Sequence, residues 1–526
     1  MQKNANKIIL IVSILITIAI TASLAIFFRI KHLKNHDSSS IYVNTSAESS
    51  VSSEESLVSS VTSSMESLVS SAVQSSVPPV SSKIEPPVSS KPVSSVYVPP
   101  KPTIELIGNY LNIGPGLIAE IIHFEAETFD ALSTNDWSKP TNTYLPKGTV
   151  DYCSPDFIYS KSSSDKKEYV VLRCNKQVYT KNKNTPNPEK IQVVKTYKGT
   201  LPDHNEIGAV SFENGIRHST LTLNTLWKAP FRFEISPQNY RRPSSQDYSI
   251  SSFTANYIDI TFCYATVFSG EIIVPEDNPL FTGATVIPNY DSNGKIIDTT
   301  LRLTLKKTGG FYGWNAVYNE QGQLVFEFLN PAKITVAEND FGVDLTGIKV
   351  LIDVGHGGKD VGAEGFDYQN HSEAKRNLVL AKKLGDRLVG LGATVYLTRE
   401  EDINSSNDEK LQKLERIKPD ICISIHHNSS SNAKANGFDS RYFTPFSMKP
   451  AQFIYQNTLT ANIYQKNTLG WHYYFFARNT LCPIVLTENG YISNEFDYQN
   501  IIGDDANNLK ADAIVKGIAE YFKSIQ

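Results

Sequence analysis

Four residues in the last third of the chain carry groups able to do chemistry, and three of them close short apolar runs. His356 lies in DVGHGG after KVLID (349–353), His426 lies in SIHHN after ICISI (421–425), and Glu488 closes PIVLTE (483–488). Glu373 opens a stretch running to Val389 with Leu378, Ala381, Leu384 and Leu388 at helical spacing. In an open α/β sheet, ligands bind where the strands end at their carboxyl edge. The four residues are therefore expected to meet at one edge. Two imidazoles and a carboxylate are a standard three-ligand set for catalytic zinc, with the fourth position left for water. Such an ion lowers the pKa of its water and polarises a carbonyl. A carboxylate that stays off the metal is then needed to carry the proton. Position alone does not say which of Glu373 and Glu488 has which task. Singly, each residue also has an ordinary role: His356 capping a glycine turn, His426 or His427 as a hydrogen-bonded surface histidine, Glu373 as an acid favoured at a helix N-terminus, Glu488 as a loop carboxylate. Four of them at one sheet edge point to a site.

The elements that must hold them alternate between strand-like and helix-like runs. Beyond those already named, ATVYLTR (393–399) reads as a strand, and Leu509, Ala513, Ile518 and Phe522 trace a closing amphipathic helix. Short buried strands alternating with helices define an α/β domain with a mainly parallel sheet.

Five segments, in order, resemble the catalytic domain of the zinc-dependent N-acetylmuramoyl-L-alanine amidase family (type 3) over residues about 347–526. They are IDVGHGGKDVGAEG (352–365), SEAKRNLVLAKKL (372–384), VYLTREED (395–402), SIHHNS (424–429) and FFARNTLCPIVLTENGYISN (475–494). In the second, Glu373, Asn377 and Leu378 stand in the family's register. The resemblance implies that His356, Glu373 and His426 bind zinc and that Glu488 is the catalytic acid/base. The reaction it implies is cleavage of the amide between the lactyl group of muramic acid and the first alanine of the stem peptide, with peptidoglycan as partner. Glu364 and His371 are minor alternatives as ligands. Arg399 is expected to support the fold, or to lie near the site without touching metal. The chain departs from the family at Val354, where a proline is usual, and at His427, where a small residue is usual. The stretch 403–420 reads as compressed, and 438–470 as a longer, aromatic connection. Two other readings of such a site are a zinc peptidase acting on wall peptides and a non-catalytic wall-binding protein.

The rest of the chain lies outside that resemblance. Ile8 to Phe28 is a run of 21 residues without a charge, and about 20 apolar residues span a bilayer as a helix. The run continues through Ile26-Phe27-Phe28, past the small residues that would imitate a signal cleavage site, so it reads as an uncleaved anchor. Flanking charges (Lys3 and Lys7 before it, Arg29, Lys31 and Lys34 after it) alone slightly favour a cytoplasmic C-terminus. The segment that follows and the wall chemistry point outward instead. Residues 38–103 are rich in Ser, Val and Pro, with ESLVSS and PPVSSK each occurring twice. Such a segment buries too little apolar surface to offset the entropy of ordering. As an extended stalk it reaches on the order of 200 Å at about 3.1 Å per residue.

Residues 104–340 read as β-rich. TANYIDITFCYATVF (254–268) is aromatic and β-branched, residues 301–306 alternate Leu with Arg, Thr and Lys, Gly309-Gly310 marks a turn, and QLVFEF (323–328) is a further strand. A short helix is expected near 116–132. The Tyr and Trp residues here are read as core before sugar-binding. With 50 basic against 54 acidic residues, the chain lacks the basic excess that nucleic acid demands. Five scattered cysteines without a CxxC pair argue against a zinc ribbon or a dense disulfide framework; Cys153 and Cys174 could pair across a hairpin, with buried free thiols favoured. The expectation is thus a multidomain chain: membrane anchor and flanks (1–37), disordered stalk (38–103), β-rich region (104–340) and α/β amidase domain (345–526) that folds on its own, displayed on the outer face of the cell membrane.

Overall fold

The computed structural model describes residues 105–526, apart from 124–127, 131–142, 155–157, 160–167, 180–191, 237–239, 242–248, 251–252, 366–370 and 473. The membrane anchor and the stalk expected from the sequence lie outside the described residues. No helix among the described residues is long and apolar enough to cross a membrane.

The catalytic part is built on strands β1 (Lys349–Val354), β2 (Thr394–Leu397), β3 (Ile421–Asn428), β4 (Phe438–Tyr442), β5 (Asn467–Trp471) and β6 (Ile484–Tyr491). Their order in the sheet is β2-β1-β3-β6-β4-β5. The pairings β1–β2, β1–β3, β3–β6 and β4–β5 are parallel, whereas β4–β6 is antiparallel. The sheet is mixed, parallel in all pairings but one. The helices are α1 (Glu373–Gly390), α2 (Asn407–Ile417), α3 (Met448–Thr460), α4 (Glu495–Ile502) and α5 (Asp504–Ser524). The β1, β3 and β6 strands are buried on both faces, which is why they read as continuous apolar runs rather than alternating ones. On α1 the buried side is Leu380, Ala381, Leu384 and Leu388. The α2 helix opens with a capping box, Ser406 and Glu409 satisfying each other's backbone N–H groups. The stretch expected to be a long connection, 438–470, is an ordered strand–helix–strand unit, β4-α3-β5, that extends the sheet past β6.

The middle region is β-rich. Two five-stranded sheets face each other there. One contains Asn205–Asn214, His218–Thr225 and Leu324–Leu329; the other contains Phe231–Ser236, Tyr257–Phe262, Phe281–Tyr290 and Ile296–Leu305. Their inner faces bring together Leu221, Leu223, Phe231, Ile260, Leu301 and Phe326. Where the helix expected near 116–132 falls on described residues, strands stand in its place at Gly116–Ile121 and Thr128–Asp130. Gly116–Ile121 is the central strand of a three-stranded sheet, paired with Val194–Gly199 on one side and Val150–Tyr152 on the other. Leu117, Ile118, Ile121 and Ile122 fall at helical spacing. A central strand covered on both faces gives the same short apolar run, and pairing on both edges decides for strand. Among the described residues most of the aromatic ones are core, and Trp227, Trp314, Tyr110 and Tyr264 are all buried. Cys153 and Cys174 are buried free thiols.

The core of the sandwich runs without interruption into the core of the catalytic sheet. Phe311 meets Phe446 edge-on at 5.7 Å, the Trp314 N–H donates to the Thr480 carbonyl at 2.7 Å, and Arg217 pairs with Asp420 at 2.6 Å.

Candidate metal centre and its surroundings

The first strand delivers its histidine through a turn that little but glycine can make. His356 itself has φ 58°, in the sparsely populated left-handed region for a side chain with a Cβ. A Cβ on Gly355 would lie 2.4 Å from the His426 ring, and one on Gly362 would lie 2.6 Å from a Glu373 carboxylate oxygen. The glycines of DVGHGGKDVG thus let the backbone pass against the functional side chains. Arg399 fixes this turn. Its guanidinium, buried at 2% exposure, donates to the carbonyls of His356 (2.6 Å), Gly355 (2.9 Å), Ala374 (2.6 Å) and Glu401 (3.0 Å). It holds the histidine turn to the start of α1 through main-chain groups.

The structure brings His356, Glu373 and His426 together, with one donor atom from each within 4.8 Å of the others. Glu373 Oε1 is 3.2 Å from His356 Nε2 and 2.9 Å from His426 Nδ1. The carboxylate also accepts main-chain N–H groups from Ala363 at 3.0 Å and His427 at 3.2 Å. Burial by itself would raise the Glu373 pKa, but hydrogen bonds from His356 and His426 hold it far below the usual carboxylate range. Burial opposes the His356 charge, and the partners Glu373 and Asp360 more than offset this, raising its pKa to about 9. Asp360 Oδ2 lies 2.9 Å from His356 Nδ1 and so orients the ring, leaving Nε2 facing the centre.

These donors fit a divalent metal. Metal–ligand bonds of about 2.0–2.2 Å to His and carboxylate require donor atoms a few ångströms apart, which is how the three stand.

Glu488 lies on β6, in register with His426 on β3 and with Asp439 on β4. It is buried, and burial together with the nearby Glu373 and Asp439 pushes its pKa up to about 7, against the lowering pull of His426. Burial raises the Tyr474 pKa, and the nearby Glu488 carboxylate adds to this. Asp439 is paired in turn with Arg441 at 3.0 Å.

Of the minor alternatives, Glu364 is exposed and His371 hydrogen-bonds the Tyr498 hydroxyl; neither belongs to the converging group. His427, at the position where the chain departs from its resemblance, points away into the interior. Its Nδ1 is 2.7 Å from Asn377 Oδ1, and Asn377 Nδ2 donates to the Gly355 carbonyl at 3.1 Å. Asn377 therefore bridges the first histidine turn and the strand of the second. Sequence reasoning did not assign Tyr474, Asp439, Asn377 or Asp360 to the site. Only Asp360 had a local signal, an acid four residues after His356 in a glycine turn.

A glycine-bound histidine turn, a helix-borne glutamate and a second histidine are gathered at the carboxyl edge of an α/β sheet beside a buried acid of raised pKa, and the three could hold a metal ion. The profile of the N-acetylmuramoyl-L-alanine amidase family matches residues 350–520. The probable cell wall amidase LytH of Staphylococcus saprophyticus is 31% identical over 261 residues, covering 48% of this chain and 85% of that protein. LytH of Staphylococcus epidermidis is 30% identical over 275 residues, covering 49% and 86%. Among solved structures, the catalytic domain of the N-acetylmuramoyl-L-alanine amidase CwlV from Paenibacillus polymyxa var. colistinus is 31% identical, covers 34% of this chain and 98% of that one, and aligns with a TM-score of 0.32. The chain belongs to the N-acetylmuramoyl-L-alanine amidase family, and it is a peptidoglycan amidase.

Proposed function

We propose that this amidase works with a zinc ion held by His356, Glu373 and His426, and with Glu488 as the group that carries the proton. The observation behind this reading is the convergence of those three donors within 4.8 Å beside a carboxylate in register with His426 on the neighbouring strand. When bound, zinc supplies a Lewis acid for the scissile carbonyl and lowers the pKa of a water. The chain's own residues do the rest. Asp360 fixes the His356 tautomer so that Nε2 is the free donor. The N–H groups of Ala363 and His427 hold Glu373 in place, and His356 and His426 keep it ionised. Glu488 has a pKa of about 7, matched to taking a proton from the attacking water and returning it to the leaving alanine amine near neutral pH. Tyr474 lies near Glu488, where its hydroxyl can help to orient the carboxylate.

The substrate lies outside the cytoplasmic membrane. We place the catalytic part on that side, tethered by residues 8–28 as a single membrane helix with 38–103 as a stalk. The sequence of those segments supports this arrangement. External protease acting on wall-stripped cells should release a large C-terminal fragment; protection of that fragment until lysis contradicts the orientation.

Product analysis on purified peptidoglycan tests the reaction. Free lactyl groups with new alanine amino termini are expected. New amino termini from within the stem peptide would instead make the chain a peptidase, and no new termini would make it a wall-binding protein.

A further inference from the structure

The middle region contains a cleft that the amidase reaction does not use. Its floor is the outer face of the sheet formed by Phe231–Ser236, Tyr257–Phe262, Phe281–Tyr290 and Ile296–Leu305. Phe231, Phe233, Ile258, Ile260, Leu301 and Leu303 fill the opposite face. Strand alternation therefore places polar residues outward, and register aligns them in rungs. Arg232, Thr261 and Thr300 stand side by side, as do Glu234, Asp259 and Arg302. Two turns from the preceding β-rich segment, Leu106–Asn109 and Cys174–Lys176, wall the cleft, which encloses about 590 Å³. That is within the range of small-ligand sites, roughly 300–1,000 Å³, which are usually lined by apolar groups. This one is mostly polar.

The polar groups are set in place before any ligand arrives. Arg302 makes two parallel bonds to Asp259, both 2.8 Å, and lies 3.7 Å over the Tyr257 ring. Buried Asp298 accepts from Arg232 (2.7 Å), Asn289 (2.7 Å) and the Tyr110 hydroxyl (2.5 Å). Thr261 and Thr300 share a bond of 2.7 Å. Such a network holds its members at fixed positions. One group is left without a partner: the side-chain oxygen of Asn175, which is buried in the cleft wall on a residue of φ 64°. A buried acceptor without a partner costs roughly 1–3 kcal/mol, and a donor from a ligand would relieve that.

We propose that this cleft binds the glycan strand of peptidoglycan. Three cations line it, Lys176, Arg232 and Arg302, against Glu234 and Asp259, and Asp298 beneath Arg232 completes a balance of three against three. A polyphosphate would meet the two carboxylates, and a polycation the two guanidiniums. The ligand that uses dense donors and acceptors without net charge is a polyhydroxyl chain bearing amides. The cleft also offers what the C–H face of a pyranose packs on. Tyr290 is 59% exposed at its rim, with Leu106 and Ile297 beside it. The choice of glycan rests on the amidase reading. Holding the polymer at a second site raises the local concentration of scissile amides at the catalytic centre.

The test is calorimetric titration of the chain from residue 104 with peptide-free glycan oligomers of alternating N-acetylglucosamine and N-acetylmuramic acid. They contain no scissile amide, so the result is independent of whether the amidase reading holds. The parent should bind. Tyr290→Ala removes the exposed ring, and Asn109→Arg places a long side chain across the cleft from an exposed turn; each should weaken binding at least tenfold. An Ile216→Ser variant, at an exposed position outside the cleft, should bind as the parent does. No binding by the parent overturns the proposal. So does binding that survives both cleft substitutions, or a poly(glycerol phosphate) probe that binds more tightly than the glycan and is released by salt.

Discussion

Glu373 and Glu488 are both buried carboxylates within the same site, yet their environments separate them. Glu373 faces two imidazoles and two N–H donors and stays ionised, whereas Glu488 faces Glu373 and Asp439 and holds its proton up to about pH 7. The division of labour between ligand and proton carrier follows from that contrast. His356→Ala and His426→Ala should lose bound zinc and activity together, as read by metal analysis beside a wall-hydrolysis assay. Glu488→Gln keeps shape and zinc, and should lower the rate by the upper part of the roughly 100- to 10,000-fold range for a general acid–base group, or more. Loss of zinc from Glu488→Gln would refute the assignment. Proton linkage gives a second check. His356 in the metal-free chain has its pKa raised to about 9, so at lower pH a proton must leave before the nitrogen can bind metal. Zinc affinity should therefore rise with pH until about 9, with proton release detectable in buffers of different ionisation enthalpy; release should be smaller in Asp360→Asn. Three of the four site residues were legible from the ends of strand-like runs, and Glu373 from the start of a helical one. Asp439 and Tyr474 were not, because Asp439 pairs with Glu488 from the added unit and Tyr474 lies just past its end, and the sequence does not announce that unit's fold.

At the scale of elements, the strands β1, β3 and β6 were readable because burial on both faces leaves an uninterrupted apolar run. The unit β4-α3-β5 was not, because its strands are short and β4 joins the sheet antiparallel, through a reversal that periodicity does not encode. The segment 116–121 was misread because its apolar spacing suits both states and distant partners decide. One side-chain pair shows how an element is locked to the sheet. Lys410 on α2 reaches β1, where its ammonium lies 2.8 Å from Asp353, and both side chains are nearly inaccessible. Asp353 also accepts from Ser424 at 2.6 Å on β3 and from Thr398 at 3.1 Å. Burial would raise the Asp353 pKa, but Lys410, His426 and the Ser424 bond hold it down. Removing one partner of a buried pair leaves an uncompensated charge and costs about 3–5 kcal/mol. Lys410→Ala should thus destabilise the fold by about that amount in denaturant titration, whereas Lys410→Ala with Asp353→Asn should recover part of it. Equal losses in the single and double variants would mean that the pair's charge is not what matters.

On the scale of the whole molecule, the change of sequence texture near 345 marks a change of architecture but not a gap in the core. Phe311 and Trp314 from the middle region pack into the cluster that includes Phe446 and Tyr521 of the catalytic part. Gly313 passes so close to the chain at Leu481 that an added Cβ would lie 2.5 Å from its carbonyl oxygen, at a φ of 145°. A linker that merely joined two bodies would not need that fit. The catalytic sheet nevertheless has its own inner layer, with Leu351, Leu380, Ile423, Val485 and Ile518 essentially inaccessible. A fragment covering 340–526 is therefore expected to fold and bind one zinc, but with Phe446 and its neighbours newly exposed to water. Exposed apolar patches of that kind favour self-association, and each lost large contact removes roughly 1.5–3 kcal/mol. Against a fragment covering 104–526, the shorter one should melt at a lower temperature and sediment in part as dimers or larger species. Gly313→Ala in the longer fragment should move its melting temperature toward that of the shorter one, since strain at that approach loosens the same interface. Equal melting temperatures and monomeric behaviour in both fragments would show that the shared core contributes nothing to stability, leaving the middle region as a ligand-binding platform carried beside an independent enzyme.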